Sequence, residues 1–268
     1  LKKLLFTDLD GTLLDLETYS CELVRGSVHR LKSAGASIIF CSSKTWAEQE
    51  YYLKALELDE PVIVENGSGI ILPGNSDLNM SNKKQMQEHQ MVALGKSRDA
   101  VLPPLRKAAH LHYPELKYYA NQSVEEIAHI TRLPPEAVAK AKKRDFSETL
   151  FNANPHSDAY RNFEKALKTH GLQCIPGSKY ITISSSESDK GLAVKVLIDA
   201  YRRNYGEVIS YGAGDSQNDI AMLKVVDFPY LVQKPDSSWA YMHLDKLTKV
   251  GAIGPEGWNM MAKEVLAD

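Results

Sequence analysis

The sequence predicts an α/β fold: a parallel sheet covered by helices on both faces, interrupted by an inserted α+β unit. Three observations carry this. At both ends of the chain, short and nearly continuous apolar runs alternate with stretches of helical spacing, as strands buried on both faces do. Between about Asn82 and Ile183 the alternation gives way to mixed short strands and helices. Four of the outer apolar runs end in polar clusters, where ligands bind in an open parallel sheet.

In chain order, Leu4-Leu5-Phe6 is the first strand and runs into Asp8-Leu9-Asp10-Gly11-Thr12. Side chains two apart on a strand share a face, so Asp8 and Asp10 emerge together where strand becomes loop. Val24, Val28 and Leu31 give a helix that stops at Gly35. Ser37 to Cys41 is the second strand, followed by Ser42-Ser43-Lys44. Thr45 and Glu48 have the capping-box spacing and open a helix to about Leu56. Pro61 to Val64 is a third strand ending in Glu65-Asn66-Gly67, and Ile70 to Leu72 reads as its hairpin return.

The polar stretch from Asn75 to Asn82 marks a crossing into another unit. Within it, Met91 to Leu94, Leu116 to Tyr119 and Glu148 to Phe151 are expected strands. Asp99 to Leu111 is an expected helix, broken near its start by Pro103-Pro104. Ser123 to Thr131, Pro135 to Lys143 and Ser157 to His170 follow as helices, then a hairpin from Leu172 to Ile183 around Pro176-Gly177. The first pattern resumes with a helix from Asp189-Lys190-Gly191 to Tyr205, a strand at 208–213 and Gly214-Asp215-Ser216-Gln217-Asn218-Asp219. A helix from Asn218 to Val225, a strand at Tyr230 to Val232 and a last helix after Gly254-Pro255-Glu256-Gly257-Trp258 complete the chain. The expected division is residues 1–82 and 187–268 as one unit, with 83–186 inserted.

Composition excludes several classes. At 268 residues, 43% hydrophobic and 25% charged, the chain suits a soluble protein with a substantial core. A net charge of −2 gives no reason to expect nucleic acid or an acidic membrane as partner. No apolar run approaches bilayer-spanning length, and the opening residues lack signal-peptide character. Three distant cysteines form neither a disulfide framework nor a metal pattern, so a cytoplasmic setting is expected.

The clusters at strand ends carry the chemistry. Asp8, Asp10, Asp215 and Asp219 together would make a strongly negative, oxygen-rich pocket. Such a pocket suits Mg²⁺, a hard ion that takes a few carboxylates and binds substrate phosphate. Zinc is disfavoured, because no His or Cys joins these clusters.

Asp8-Leu9-Asp10-Gly11-Thr12, Ser42, Lys190 and Gly214-Asp215-x-x-Asn218-Asp219 resemble, in order, the four motifs of the haloacid dehalogenase-like phosphatases. The resemblance implies a Rossmann-like core with the insert as an α+β cap. It implies Asp8 as nucleophile, Asp10 as general acid and then base, Ser42 on the phosphoryl oxygens and Lys190 offsetting charge. It implies Mg²⁺ held by Asp8, the Asp10 carbonyl and Asp215, with Asp219 supporting it directly or through water. Ser216 departs from the motif, where Gly is commoner.

A finer resemblance, in Cys41-Ser42-Ser43-Lys44-Thr45-x-Ala47-Glu48, Glu65-Asn66-Gly67-Ser68, Gly177-Ser178-Lys179-Tyr180 and Gly254-Pro255-Glu256-Gly257-Trp258, is to the subfamily acting on mannosyl-3-phosphoglycerate. It implies a phosphorylated sugar-glycerate substrate, with mannosylglycerate as the released compatible solute. Ser43, Lys44, Asn66, Gly67, Ser178 and Lys179 are the expected substrate-binding residues. A lysine at the start of a helix, as Lys44 is, opposes the dipole and asks for an anion nearby. The alternatives are a phosphatase for sucrose or trehalose phosphate, a phosphomannomutase, or a non-catalytic sugar-phosphate sensor. Arg144 and Arg161 could serve the substrate carboxylate but are read as surface charge, His110 and His112 as surface residues, Cys41 as a core residue and Trp258 as an anchor for the last helix. Oligomeric state is not legible.

Overall fold

A computed structural model of the chain describes residues 1–86, 88–177 and 179–268. Its first segment runs β1 (Lys2–Thr7), α1 (Arg25–Ser33), β2 (Ser37–Cys41), α2 (Trp46–Ala55), β3 (Val62–Val64), β4 (Gly69–Pro73), β5 (Lys84–Met86) and β6 (His89–Ala93). The inserted unit follows as α3 (Arg98–His112), α4 (Val124–Thr131), α5 (Pro135–Ala141), β7 (Glu148–Leu150), α6 (Asp158–Lys168), β8 (Leu172–Pro176) and β9 (Ile181–Ser185). The chain returns with α7 (Lys190–Tyr205), β10 (Val208–Gly214), α8 (Ile220–Leu223), β11 (Phe228–Gln233), β12 (Thr248–Ile253) and α9 (Gly254–Ala267).

Among the described residues, nine strands form one sheet in the order β12-β11-β10-β1-β2-β3-β4-β6-β5. From β12 to β3 neighbours are parallel, and β4, β6 and β5 extend the sheet antiparallel. Alternation along β1 sends Leu5 to one core, with Phe40 and Trp258, and Leu4 and Phe6 to the other, with Val194 and Leu197 of α7. Burying a side chain of this size contributes roughly 1.5–3 kcal/mol, so these three residues anchor the central strand between both helical layers. The inserted unit has its own sheet, β7-β9-β8, whose apolar face packs on α3 and α6. Its two connections run side by side: the N–H groups of Leu94 and Gly95 both donate to Ser68 O at 2.9 Å, and a Cβ on Gly95 would meet Ser188 Oγ at 2.7 Å. Among the described residues no helix is long and apolar enough to cross a membrane.

Three expectations need correction. Residues 84–93, expected in the insert, instead extend the large sheet through the β4–β6 pairing. The helix at Pro103-Pro104 continues unbroken, because α3 buries Val101, Leu105, Ala108 and Ala109 and that packing outweighs the lost backbone bonds. Leu116 to Tyr119 forms only an isolated antiparallel bridge, Tyr118 with Leu150, and no strand. Asn121 accepts the Tyr118 N–H at 2.8 Å and donates to Leu116 O at 2.9 Å, closing a local turn in place of a ladder. No expectation covers β12, an edge strand with one buried residue, Val250, and no alternating apolar pattern to mark it in the sequence.

Candidate active site

Parallel pairing brings the carboxyl ends of β1, β2 and β10 level, with Thr7 opposite both Phe40 and Ala213. Asp8 therefore leaves its strand beside Ser42 and Asp215, and its N–H donates to Ala213 O at 2.9 Å. Behind it, Trp258 Nε1 donates to Thr7 Oγ1 (3.1 Å), which donates to the Asp8 carbonyl (2.7 Å). The anchor expected of Trp258 thus also props the strand end that carries Asp8. Gly11 turns the loop at φ +77°, and a Cβ there would stand 3.0 Å from Asp215 Oδ2.

The carboxylates of Asp8, Asp215 and Asp219 are buried, with one oxygen from each lying within 4.8 Å of the others. Lys190, the first residue of α7, donates to Asp8 Oδ1 and Asp219 Oδ1, each at 2.7 Å. The other Asp219 oxygen accepts the N–H groups of Asp215 and Ser216 at 3.1 Å. Burial raises the Asp8 carboxyl pKa, opposed by Lys190 and aided by Asp219. Burial likewise raises Asp215, with Asp219 and Asp8 adding repulsion. Burial lowers the Lys190 ammonium, but the combined attraction of Asp219 and Asp8 outweighs it and holds that pKa above its ordinary value. Three buried carboxylates with one cation leave unbalanced negative charge, and their hard oxygen donors fit a magnesium-type ion. Cys41 is inert beside them, its thiol pKa pushed up by burial.

Asp10 stands outside this trio. Its carboxylate is ion-paired with Lys44 at 3.0 Å, and Lys44 also faces Glu48 at 3.9 Å. The expected capping box is present, with Glu48 N donating to Thr45 Oγ1 and Thr45 N donating to Glu48 Oε2. Ser42 is buried in the turn after β2, where its carbonyl accepts the Asn66 N–H at 2.9 Å. The β3–β4 loop takes positive φ at Glu65, Asn66 and Gly67 in succession, a conformation that costs free energy at the first two.

Between the sheet edge and the inserted unit lies a cavity of about 120 Å³. Asp10, Ser43, Lys44 and Asn66 line it from the sheet side, and Arg144, Lys179 and Tyr180 from the insert. Lys179 reaches across to within 5.9 Å of the Tyr19 ring centre. Asn66 Oδ1 is buried there without a hydrogen-bond partner among the described residues, an acceptor that a ligand hydroxyl would satisfy.

Residues 5–237 match the haloacid dehalogenase-like hydrolase family. The chain belongs to that family. A glucosyl-3-phosphoglycerate/mannosyl-3-phosphoglycerate phosphatase of Methanococcoides burtonii is 34% identical over 264 residues, covering 97% of this chain and 95% of that one. A mannosyl-3-phosphoglycerate phosphatase of Pyrococcus horikoshii is 38% identical over 230 residues, covering 86% and 90%. A haloalkanoate-superfamily phosphatase from Bacteroides thetaiotaomicron superposes with a TM-score of 0.67 at 17% identity, covering 99% and 95%. The last likeness is one of fold.

In this haloacid dehalogenase-like hydrolase, the residues singled out from the sequence fall into three groups. Asp8, Lys190, Asp215 and Asp219 meet in the buried cluster. Asp10, Ser43, Lys44, Asn66 and Lys179 line the cavity, with Ser42 in the turn beside them. Gly67 does not line it. At φ +90°, with a would-be Cβ 2.0 Å from Asp189 O, it lets the loop seat against α7 instead. Ser178 lies outside the described residues. Arg161 is exposed as expected, but Arg144 is buried in the cavity wall and paired with Glu65 at 3.6 Å. Tyr19 carried no local signal; Glu65 was legible only as part of a strand-end motif, and its partner Arg144 meets it only when the insert folds over the sheet edge.

Proposed function

We propose that this haloacid dehalogenase-type phosphatase hydrolyses mannosyl-3-phosphoglycerate, releasing mannosylglycerate and phosphate with Mg²⁺ as cofactor. The observation that carries the reading is the buried cluster of Asp8, Asp215, Asp219 and Lys190 opening beside a cavity with cations and tyrosines on its walls. The names of the two relatives similar over most of their length support the substrate.

Asp8 attacks phosphorus in line, and the bond to the leaving oxygen breaks as an aspartyl phosphate forms. Asp10 gives its proton to that oxygen, then takes one from the water that attacks the aspartyl phosphate. Ser42 donates to a phosphoryl oxygen, and Lys190 holds Asp8 aligned while offsetting charge. Asp8, the Asp10 carbonyl and Asp215, with support from Asp219, would hold Mg²⁺, which would supply charge to offset the phosphoryl oxygens. An anionic substrate competes with Asp10 and Glu48 for Lys44, releasing Asp10 for proton transfer. The inserted unit serves as the cap that reads the substrate, and Tyr19 and Tyr180 give flat faces for a sugar ring.

The name of the Methanococcoides relative favours a second reading, in which the glucosyl analogue is also accepted. Rates on mannosyl- and glucosyl-3-phosphoglycerate, sucrose phosphate, trehalose phosphate and a phosphomannose mutase assay decide between these. Preference for the mannosyl ester is expected; indifference to it sinks the substrate assignment, and no turnover of any ester favours a sensor.

A further inference from the structure

The mechanism leaves unused the contact between Glu65 and Arg144. Glu65 sits fully buried in the β3–β4 loop, and its carboxylate accepts the N–H groups of Asp145 (2.7 Å) and Phe146 (3.1 Å) and the Ser147 hydroxyl. This clamps the segment before β7 onto the loop that carries Asn66. Arg144, 8% exposed, lies in the same clamp. Its Nε donates to Ser147 Oγ at 2.9 Å and its Nη2 to Ser43 O at 2.8 Å, while its guanidinium carbon is 5.8 Å from the Tyr119 ring centre. Nη1 has no partner among the described residues, and the side chain lines the cavity. A buried, fixed guanidinium with donors to spare is a receptor for a planar anion.

Two further points locate that anion. In a 3-phosphoglycerate unit, one carbon separates the carboxylate carbon from the phosphate-bearing carbon, so its reader must stand close to the phosphoryl site. Arg144 meets this, because it grips the carbonyl of Ser43, the residue after Ser42. The other cations fit less well. Lys44 must first be drawn away from Asp10 and Glu48, and Lys179 is exposed, where water screens a point charge.

We propose that Arg144, fixed by Glu65, binds the carboxylate of the substrate and selects phosphate esters that carry one beside the phosphate. This rests on the phosphoglycerate reading above. The probes are mannosyl-3-phosphoglycerate and its carboxamide, which differ only in that charge. Both are measured on each preparation, so the ratio of their kcat/KM values is independent of the fraction of folded enzyme. Wild type should favour the carboxylate by about 30-fold or more, chiefly through KM, as expected for a charged hydrogen bond. In Arg144→Gln that preference should fall to within about threefold of unity, and Glu65→Gln should lose part of it. Should Arg144→Gln not fold, Arg144→Lys decides, with an expected loss of about fivefold from losing the fork. Wild-type preference retained in the Arg144 variant, or no preference in wild type, overturns the assignment while leaving the substrate intact. Failure of wild type to turn over the mannosyl ester overturns the substrate reading and this one with it.

Discussion

Lys190 Nζ lies 2.7 Å from Oδ1 of Asp8 and 2.7 Å from Oδ1 of Asp219, with 1% of its side chain exposed. One ammonium thus tethers two strand ends, those of β1 and β10, from the first turn of α7. A cation so placed is both structural and chemical, and the two roles can be separated. Lys190→Met leaves two carboxylates unpaired in the interior and should cost about 3–5 kcal/mol of stability, read by urea unfolding. Activity of the folded fraction should fall by about 10²–10³-fold. Lys190→Met combined with Asp219→Asn should recover stability without activity; recovery of both would remove Lys190 from the chemistry.

The split of duties between Asp8 and Asp10 predicts different failures. Asp8→Asn should abolish turnover and give no acid-stable, hydroxylamine-sensitive phosphoenzyme. Asp10→Asn should keep the nucleophile yet lose about 10²–10⁴-fold in kcat, less on an ester whose leaving group needs no proton. With such an ester, radiolabelled phosphate should accumulate on Asp10→Asn. Equal losses on good and poor leaving groups would argue against Asp10 as the acid.

Metal and pH are linked through the acidic trio. Burial, with Asp219 adding repulsion, raises Asp8 and Asp215 above the ordinary carboxylate value of about 4. Raised acid groups contribute stability that is fully present below the unfolded pKa and lost as pH rises through the folded one. The metal-free protein should therefore lose thermal stability as pH rises from about 4 toward neutrality and above. Magnesium competes with those protons, so its gain in Tm should be larger at about pH 8 than at about pH 5. Chelation should abolish activity and added Mg²⁺ restore it. A larger Tm gain at the lower pH would mean the ion binds elsewhere.

Gly67 offers a steric test. A Cβ there would stand 2.0 Å from Asp189 O and 2.6 Å from Lys190 N, on a backbone at φ +90°. Gly67→Ala should destabilise by roughly 2–4 kcal/mol, combining left-handed strain with a clash that flexible atoms cannot relieve. Because the clash displaces the first turn of α7, kcat should fall as well as Tm. A variant with native Tm would show that the loop and helix are not in this contact.

Much of the core was legible because its signals are local. Alternation buries Leu4, Leu5 and Phe6 on two faces, Thr45 and Glu48 cap α2 through their own spacing, and carboxylates two and four residues apart mark strand ends. Where packing competes with local preference, the reading failed. Two prolines did not break α3, whose buried face outweighs them, and β5 and β12 have too few buried residues to show a period. Arg144 is the plainest case. An arginine that follows Lys142-Lys143 looks like surface charge, and nothing near it in sequence announces Glu65 as its partner.

By itself, then, the sequence determined the α/β alternation, the order of the motifs and the identity of the acidic residues and lysine at the strand ends. These depend on side-chain period and on chemistry carried within a few neighbouring residues. Only the tertiary structure decided that Asp10 faces Lys44 while Asp8 joins Asp215 and Asp219, and that Glu65 grips Arg144 across the cavity wall. Those pairings join residues as many as 207 positions apart, such as Asp8 and Asp215; the first two exist only once β1, β2 and β10 pair, and the third only once the inserted unit closes on the sheet edge and burial makes each unpaired charge costly.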